Sequence, residues 1–115
     1  MINYRIKHIG INHPNAEEAS KTAELFRNCF QLERTGGNGN GDIFVGKIFE
    51  FKDKNTVGTF GHVALQVDDV EEAMKDLASR GFTFREETIS RNEDGKSINV
   101  YMQQELGGLA FHICL

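Results

Sequence analysis

Two stretches of the chain alternate between apolar and polar residues and then change to a helical period. Residues 4–11 (YRIKHIGI) and 61–67 (GHVALQV) have the two-residue alternation of β-strands. After each stretch, apolar residues recur at intervals of three and four, which is the period of an amphipathic helix. The predicted stripes are Ala19, Ala23, Phe26 and Phe30 in the first helix, and Ala73, Met74 and Leu77 in the second, which Gly81 would end.

The two strand–helix stretches are copies of one pattern. Residues 8–21 (HIGINHPNAEEASK) align without a gap on residues 62–75 (HVALQVDDVEEAMK). A second match aligns residues 46–51 (GKIFEF) with residues 108–113 (GLAFHI). In this alignment Glu50 corresponds to His112. Both helices begin with a capping-box pattern, in which an amide or carboxylate precedes glutamate by three positions: Asn15 with Glu18, and Asp69 with Glu72.

After each helix the alternation of strands returns. Residues 82–91 and 97–104 flank the sequence NEDG, a tight-hairpin signal, and residues 42–51 follow a short strand near Leu32. We therefore predict an α+β fold of two tandem βαβββ modules within one domain, 1–115. Module 1 spans about 1–54, module 2 spans about 59–115, and the polar sequence KDKNTVGT joins them.

Composition narrows the class of protein. A chain of 115 residues suits one domain, and a net charge of -4 argues against nucleic-acid binding, which usually needs a clustered basic surface. No apolar run has the length of a membrane span, and the N-terminal residues lack the apolar core of a signal peptide. Cys29 and Cys114 are far apart in sequence, which favours reduced thiols and a cytoplasmic protein.

The glycine-rich sequence GGNGNG in residues 36–41 could be mistaken for a phosphate-binding loop. No predicted helix follows it and no acidic partner accompanies it, as a dinucleotide fingerprint requires. We interpret it as a hairpin loop.

Strand alternation places four titratable residues on the face that the helices do not cover. In the strand of His62 the opposite face is wholly apolar, so His62 should point away from the helix. In the strands of Glu50 and His112 the opposite face is also apolar. Two basic residues make the alternation around His8 less regular. We call His8, Glu50, His62 and His112 the His–Glu cluster.

The His–Glu cluster predicts a metal site, because its members occupy the first and last strands of both modules. If these strands adjoin, three imidazoles and one carboxylate converge, a suitable set of ligands for Zn, Ni, Co, Mn or Fe. A single histidine on a strand is more often a surface or packing residue, so the prediction depends on the joint pattern. His13 lacks a counterpart in module 2 and is interpreted as a loop residue, and Cys114 as a packing residue.

The sequence GHVALQVDDVEEAMKDLASRGF resembles the opening of the second module in the vicinal oxygen chelate superfamily. That superfamily includes glyoxalase I, methylmalonyl-CoA epimerase, extradiol dioxygenases, and fosfomycin-resistance and bleomycin-binding proteins. The resemblance implies a cupped, mostly antiparallel sheet with the helices on its outer face, and metal ligands at the positions of the His–Glu cluster. His112 departs from the glutamate usual at its position. The ending LGGLAFHI is similar to modules attached to sugar-acid aldolases of the 2-keto-3-deoxy-6-phosphogluconate (KDPG) type.

The resemblance implies a metal-dependent, glyoxalase-like isomerase or lyase that acts on an oxo acid or sugar acid. Glu50 is the predicted general base, because it is the one carboxylate left at a ligand position. Substrate contacts are predicted on the same face, and a homodimer is expected because sheet edges are exposed. Two alternatives stay open: a small-molecule binding or resistance protein without turnover, and a module that holds metal for stability alone. The sequence also leaves open whether the site forms within one chain or between two. The predicted substrate-binding residues are Phe60, Gln66, Asn99 and Tyr101.

Overall fold

The computed structural model describes residues 1–36 and 42–115, which form one open eight-stranded sheet and two helices. The predicted α+β layout of strand, helix and three strands, twice, is confirmed. Part of the predicted hairpin loop, residues 37–41, lies outside the described residues. The elements are β1 (Arg5–Ile11), α1 (Ala16–Phe30), β2 (Arg34–Gly36), β3 (Ile43–Val45), β4 (Phe49–Phe51), β5 (Gly61–Gln66), α2 (Val70–Ser79), β6 (Phe84–Arg91), β7 (Ser97–Met102) and β8 (Leu109–Cys114).

The strand order is β2-β3-β4-β1-β5-β8-β7-β6. In each half, the first strand pairs with the last in parallel, β1 with β4 and β5 with β8, while the remaining pairs are antiparallel. The halves meet where β1 runs antiparallel to β5, so an approximate twofold axis passes between these two central strands. The first and last strands of both modules are therefore neighbours at the middle of the sheet.

The helices begin where the capping pattern predicts. The Asn15 side chain accepts a hydrogen bond from the backbone N–H of Glu18 at 2.9 Å, and Asp69 does the same for Glu72 at 3.1 Å. Beyond the end of α2, Gly81 has a φ of 100°, the left-handed conformation that glycine adopts most easily. The sequence signals for these helix termini are local, which is why they could be identified without the fold.

Each helix covers its own half of the sheet over a separate core. Ala19 and Ala23 of α1 pack on Ile43, Val45 and Phe51. The core under α2 consists of Val67, Val70, Ala73, Val100, Met102 and Ile113. Both cores lie on one side of the sheet, and the opposite side carries the His–Glu cluster.

A β-bulge interrupts the alternation of β1. Ile6 pairs with Leu65, but His8 pairs with Ala64, so Lys7 is an extra residue in β1. Paired residues of antiparallel strands share a face, so the bulge turns His8 to the side opposite Leu65. This irregularity is the physical reason why the alternation around His8 was hard to read in the sequence.

Phe30 differs from its predicted place on the buried stripe of α1. It is the last residue of the helix, and 62% of it is exposed. Its ring contacts Phe26 edge-on, with ring centroids 5.2 Å apart. Among the helices of the described residues, none has the length and apolar character needed to cross a membrane.

We predict that Phe51→Ala lowers the free energy of unfolding by about 3–5 kcal/mol, because Phe51 is fully buried and its loss leaves a cavity. Phe30→Ala is the matched control and should cost less than about 1 kcal/mol, since Phe30 is mostly exposed. Urea denaturation followed by circular dichroism measures both. Equal losses would contradict the division between core and surface described here.

Candidate metal centre

The His–Glu cluster converges at the junction of the two modules, within one chain. The Nε2 atoms of His8 and His62 are 3.1 Å apart. Glu50 Oε1 lies 3.3 Å from His62 Nε2 and 3.9 Å from His8 Nε2. The ring of His112 is centred 5.6 Å from each of the other two rings. Each of the three histidines offers a ring nitrogen within 4.8 Å of those of the other two.

Strand register explains this convergence. His8 lies opposite Ala64, and Ala64 also pairs with His112 on the other side. His62 lies opposite Gly10, and Gly10 also pairs with Glu50. The approximate twofold axis therefore relates the pair His8 and Glu50 to the pair His62 and His112.

Gly10 makes room for the ring of His62. A methyl group at Gly10 would overlap the imidazole of His62, which lies directly over the backbone there. At the equivalent place in module 2, Ala64 is fully buried. The small residue at Gly10 therefore leaves the space that the His62 ring occupies.

Asn99 orients His112. The two side chains are joined by a hydrogen bond of 2.6 Å between His112 Nδ1 and Asn99 Oδ1. Because an amide oxygen only accepts, Nδ1 carries the proton and Nε2 keeps its lone pair. Tyr101 stacks on the ring of His112, with the ring centroids 4.7 Å apart. The hydrogen bond between Nδ1 and Asn99 is the usual arrangement behind a metal-binding histidine.

Burial favours the neutral form of His8 and His112, which is the state that binds metal. The pKa of His112 is lowered to about 4, mainly by burial and in part by the nearby rings of His62 and His8. Burial also lowers the pKa of His8, although the attraction of Glu50 opposes this change. At neutral pH both rings therefore have lone pairs available.

Glu50 is ionised in this environment. Burial on its own would raise the pKa of Glu50, but the hydrogen bond with His62 and the positive charge of Lys52 outweigh it, and the pKa is lowered. The cluster thus combines one carboxylate anion with the neutral imidazoles of His8 and His112.

These donors fit a divalent transition metal. Two nitrogen ligands of one such ion, each about 2.0–2.1 Å from it, lie about 3.0–3.4 Å apart, which agrees with the 3.1 Å between His8 and His62. The other ring nitrogen of His62, Nδ1, is buried and has no hydrogen-bond partner among the described residues.

The cluster lies at the base of a cavity of about 280 Å³. Tyr101 is the predicted substrate-binding residue that lines it. Three further lining residues were missed by the sequence analysis: Lys52, Thr56 and Val57. Lys52 could have been found, since it lies two positions after Glu50 and so shares its side of the strand, whereas the other two belong to an irregular linker that carries no periodic signal.

The other predicted contact residues lie elsewhere. Asn99 contacts His112, and neither it nor Gln66 is among the residues that line the cavity. Phe60 is 64% exposed, and a methyl group at Gly108 would overlap its ring. Their role in substrate binding stays a prediction.

The two titratable residues that sequence analysis set apart from the cluster also lie apart from it. His13 follows β1 in a loop and is buried, with Nε2 3.0 Å from the Thr22 hydroxyl and Nδ1 3.2 Å from the Lys52 carbonyl oxygen. Cys114 is buried and its thiol lies 3.6 Å from the Leu65 carbonyl oxygen. Both side chains are held by contacts of the fold.

Comparison with solved structures identifies the fold. A hypothetical protein from Bacillus halodurans C-125 is 14% identical over 97% of this chain and 94% of its own, with a TM-score of 0.63. Methylmalonyl-CoA epimerase from Mycobacterium tuberculosis is 12% identical (95% and 85% covered, TM-score 0.57). A variant of the Streptomyces coelicolor epimerase in complex with 2-nitronate-propionyl-CoA is 15% identical (95% and 92% covered, TM-score 0.54). No family model and no curated protein matches the sequence. The chain has the vicinal oxygen chelate fold, as the sequence resemblance predicted.

We predict that His112 of the metal-free protein stays neutral until the pH falls to about 4. The unfolded chain takes up this proton near pH 6.5, so the free energy of unfolding should fall as the pH is lowered from about 6.5 to about 4. An NMR titration of the imidazole C–H signals measures the pKa. Titration of His112 near its ordinary value would show that the ring is not buried as described.

Proposed function

We propose that this protein is a glyoxalase-like enzyme that depends on one divalent transition metal ion. Its substrate would be a small molecule with two neighbouring oxygens, such as an oxo acid or sugar acid, and its chemistry that of an isomerase or lyase. The observation that carries the proposal is the convergence of three imidazoles and one carboxylate at the base of one cavity. Burial that keeps His8 and His112 neutral supports it.

The metal would be held by the His–Glu cluster. A divalent ion bound there supplies a positive charge that binds two substrate oxygens and stabilises the negative charge that develops on them. Asn99 fixes the ring of His112 through Nδ1, and Gly10 leaves space for the ring of His62. These two residues position proposed ligands.

Glu50 is proposed as the general base as well as a ligand, because it is the one carboxylate of the cluster. Its lowered pKa means that it is ionised at neutral pH and can accept a proton from a carbon next to a carbonyl group. His112 stands where related metal enzymes usually have a second carboxylate. No carboxylate of the cluster is therefore available for proton transfer on that side of the substrate, and Glu50 is the single base.

The fold neighbours are compatible with such chemistry. Among them are epimerases named for methylmalonyl-CoA. A cavity of about 280 Å³ suits a small acid, whereas most of a coenzyme A thioester would have to lie outside it. A small free acid is therefore the preferred substrate.

We also propose a cellular compartment and an oligomeric state. The cysteines are unpaired, Cys29 exposed and Cys114 buried, which suits a reducing compartment such as the cytoplasm. A homodimer would cover the free edges at β2 and β6, and light scattering of the purified protein tests for it.

We expect the chelator-treated protein to bind one divalent ion per chain, tested by calorimetry with Zn, Ni, Co, Mn and Fe(II). His8→Ala, His62→Ala and His112→Ala should each weaken binding at least about 10-fold, because each removes one proposed ligand. His13→Gln is the matched control and should bind as the wild type does. Absence of binding to the wild type would overturn the metal-dependent function.

We expect the metal-loaded protein to exchange hydrogen next to the carbonyl of pyruvate or hydroxyacetone with solvent deuterium, followed by proton NMR. Glu50→Gln should slow exchange about 10²–10⁴-fold, the usual contribution of a general base. Metal content is measured in the same samples, and the exposed Glu105→Gln is the control. Tight binding of these compounds without exchange would instead favour the small-molecule binding protein.

A further inference from the structure

Lys52 places an ammonium group at the wall of the cavity beside the His–Glu cluster. It directly follows β4, and its side chain is only 19% exposed. Its Nζ lies 2.8 Å from Asp42 Oδ2 and 3.8 Å from Glu50 Oε1. The ammonium group of Lys52 is therefore close to the Glu50 carboxylate, which faces the histidines.

The ammonium group of Lys52 has hydrogen-bonding capacity that the described residues do not use. It carries three N–H donors, and one of them is directed to Asp42, while the distance to Glu50 is too long for a hydrogen bond. Two of its donors are therefore available to a ligand in the cavity that Lys52 lines.

Tyr101 supplies a second available donor at the same cavity. Its ring lines the cavity and stacks on His112, and its hydroxyl has no hydrogen-bond partner among the described residues. Lys52 and Tyr101 therefore offer donors to one cavity from separate elements.

The charges at the cavity favour an anion. The charged side chains that line it are Glu50 and Lys52, and their opposite charges cancel. A divalent ion at the cluster would leave the cavity positive, even when the negative charge of Asp42 behind Lys52 is included. A neutral substrate would leave that charge without compensation, whereas a carboxylate balances it.

We propose that Lys52, with the Tyr101 hydroxyl, binds the carboxylate of the substrate, so that the site selects 2-oxo and 2-hydroxy acids over neutral carbonyl compounds. This inference rests on the proposed function, because it assigns the position of an acid group next to the chelating oxygens. Lys52 Nζ lies 3.8 Å from Glu50 Oε1, so an acid group bound by Lys52 would lie close to the oxygens that bind the metal. Lys52 is a residue that determines specificity.

The experiment follows the imidazole C–H signals of His112 by NMR while pyruvate or its neutral methyl ester is added, to metal-free and to zinc-loaded protein. We expect pyruvate to bind zinc-loaded wild type at least about 10-fold more tightly than the ester. Lys52→Met should remove this preference without changing zinc binding. Lys75→Met, at an exposed lysine of α2, is the matched control and should keep it.

A second variant separates substrate binding from a purely structural ion pair. Asp42→Asn breaks the same pair as Lys52→Met but leaves the ammonium group free, so it should keep or tighten pyruvate binding. Equal losses in both variants would assign Lys52 to the fold and overturn the inference.

The outcomes also distinguish this inference from the proposed function. Zinc binding without a preference for pyruvate overturns the role of Lys52 and leaves the metal site standing. If zinc does not bind, the proposed function fails, and the metal-free titration decides the inference: a pyruvate response that Lys52→Met abolishes supports it, and no response overturns it.

Discussion

The antiparallel pairing of β1 with β5 is the constraint on which the rest of the site depends. It joins the two modules at the middle of one sheet, and it places His8 and His62 on neighbouring strands with their Nε2 atoms 3.1 Å apart. The parallel partners β4 and β8 then bring Glu50 and His112 to the same place from either side. A shift of the central register by one residue would turn one histidine into the helix-covered core.

This arrangement puts polar groups where a sheet usually buries apolar ones, and the surroundings compensate. Small residues, Gly10 and Ala64, leave space for the rings, and Asn99 satisfies one nitrogen of His112. The buried Nδ1 of His62 has no such partner among the described residues. An unsatisfied buried nitrogen costs free energy, so the cluster is a place where the fold gives up stability.

Much of the fold could be predicted because its signals are local. The caps at Asn15 and Asp69, the alternation in β5 and β8, and the internal repeat all follow from the properties of adjacent residues. What could not be predicted depends on distant pairing. The bulge at Lys7 is a property of two strands together, and the cavity wall at Thr56 comes from a linker without periodicity.

Residues also take roles that alternation alone does not assign. Asn99 was placed on the correct side of β7, but it contacts His112 and does not line the cavity, because the register of β7 against β8 decides how far its side chain reaches. Phe30 was placed on the buried stripe by its spacing. It is the last residue of α1, where the helix extends beyond the core that it covers, and it is exposed. In both cases the face was predictable and the environment was not.

Fusion of the two halves in one polypeptide has a consequence for the electrostatic character of the centre. Two identical copies of the first module would contribute two imidazoles and two carboxylates, and two copies of the second would contribute four imidazoles. With a divalent ion, these symmetric assemblies would be neutral or doubly positive. Only unlike halves, one ending in Glu50 and the other in His112, yield an odd number of carboxylates and a single positive charge. Covalent duplication therefore gives access to an intermediate charge state that a symmetric pair cannot reach.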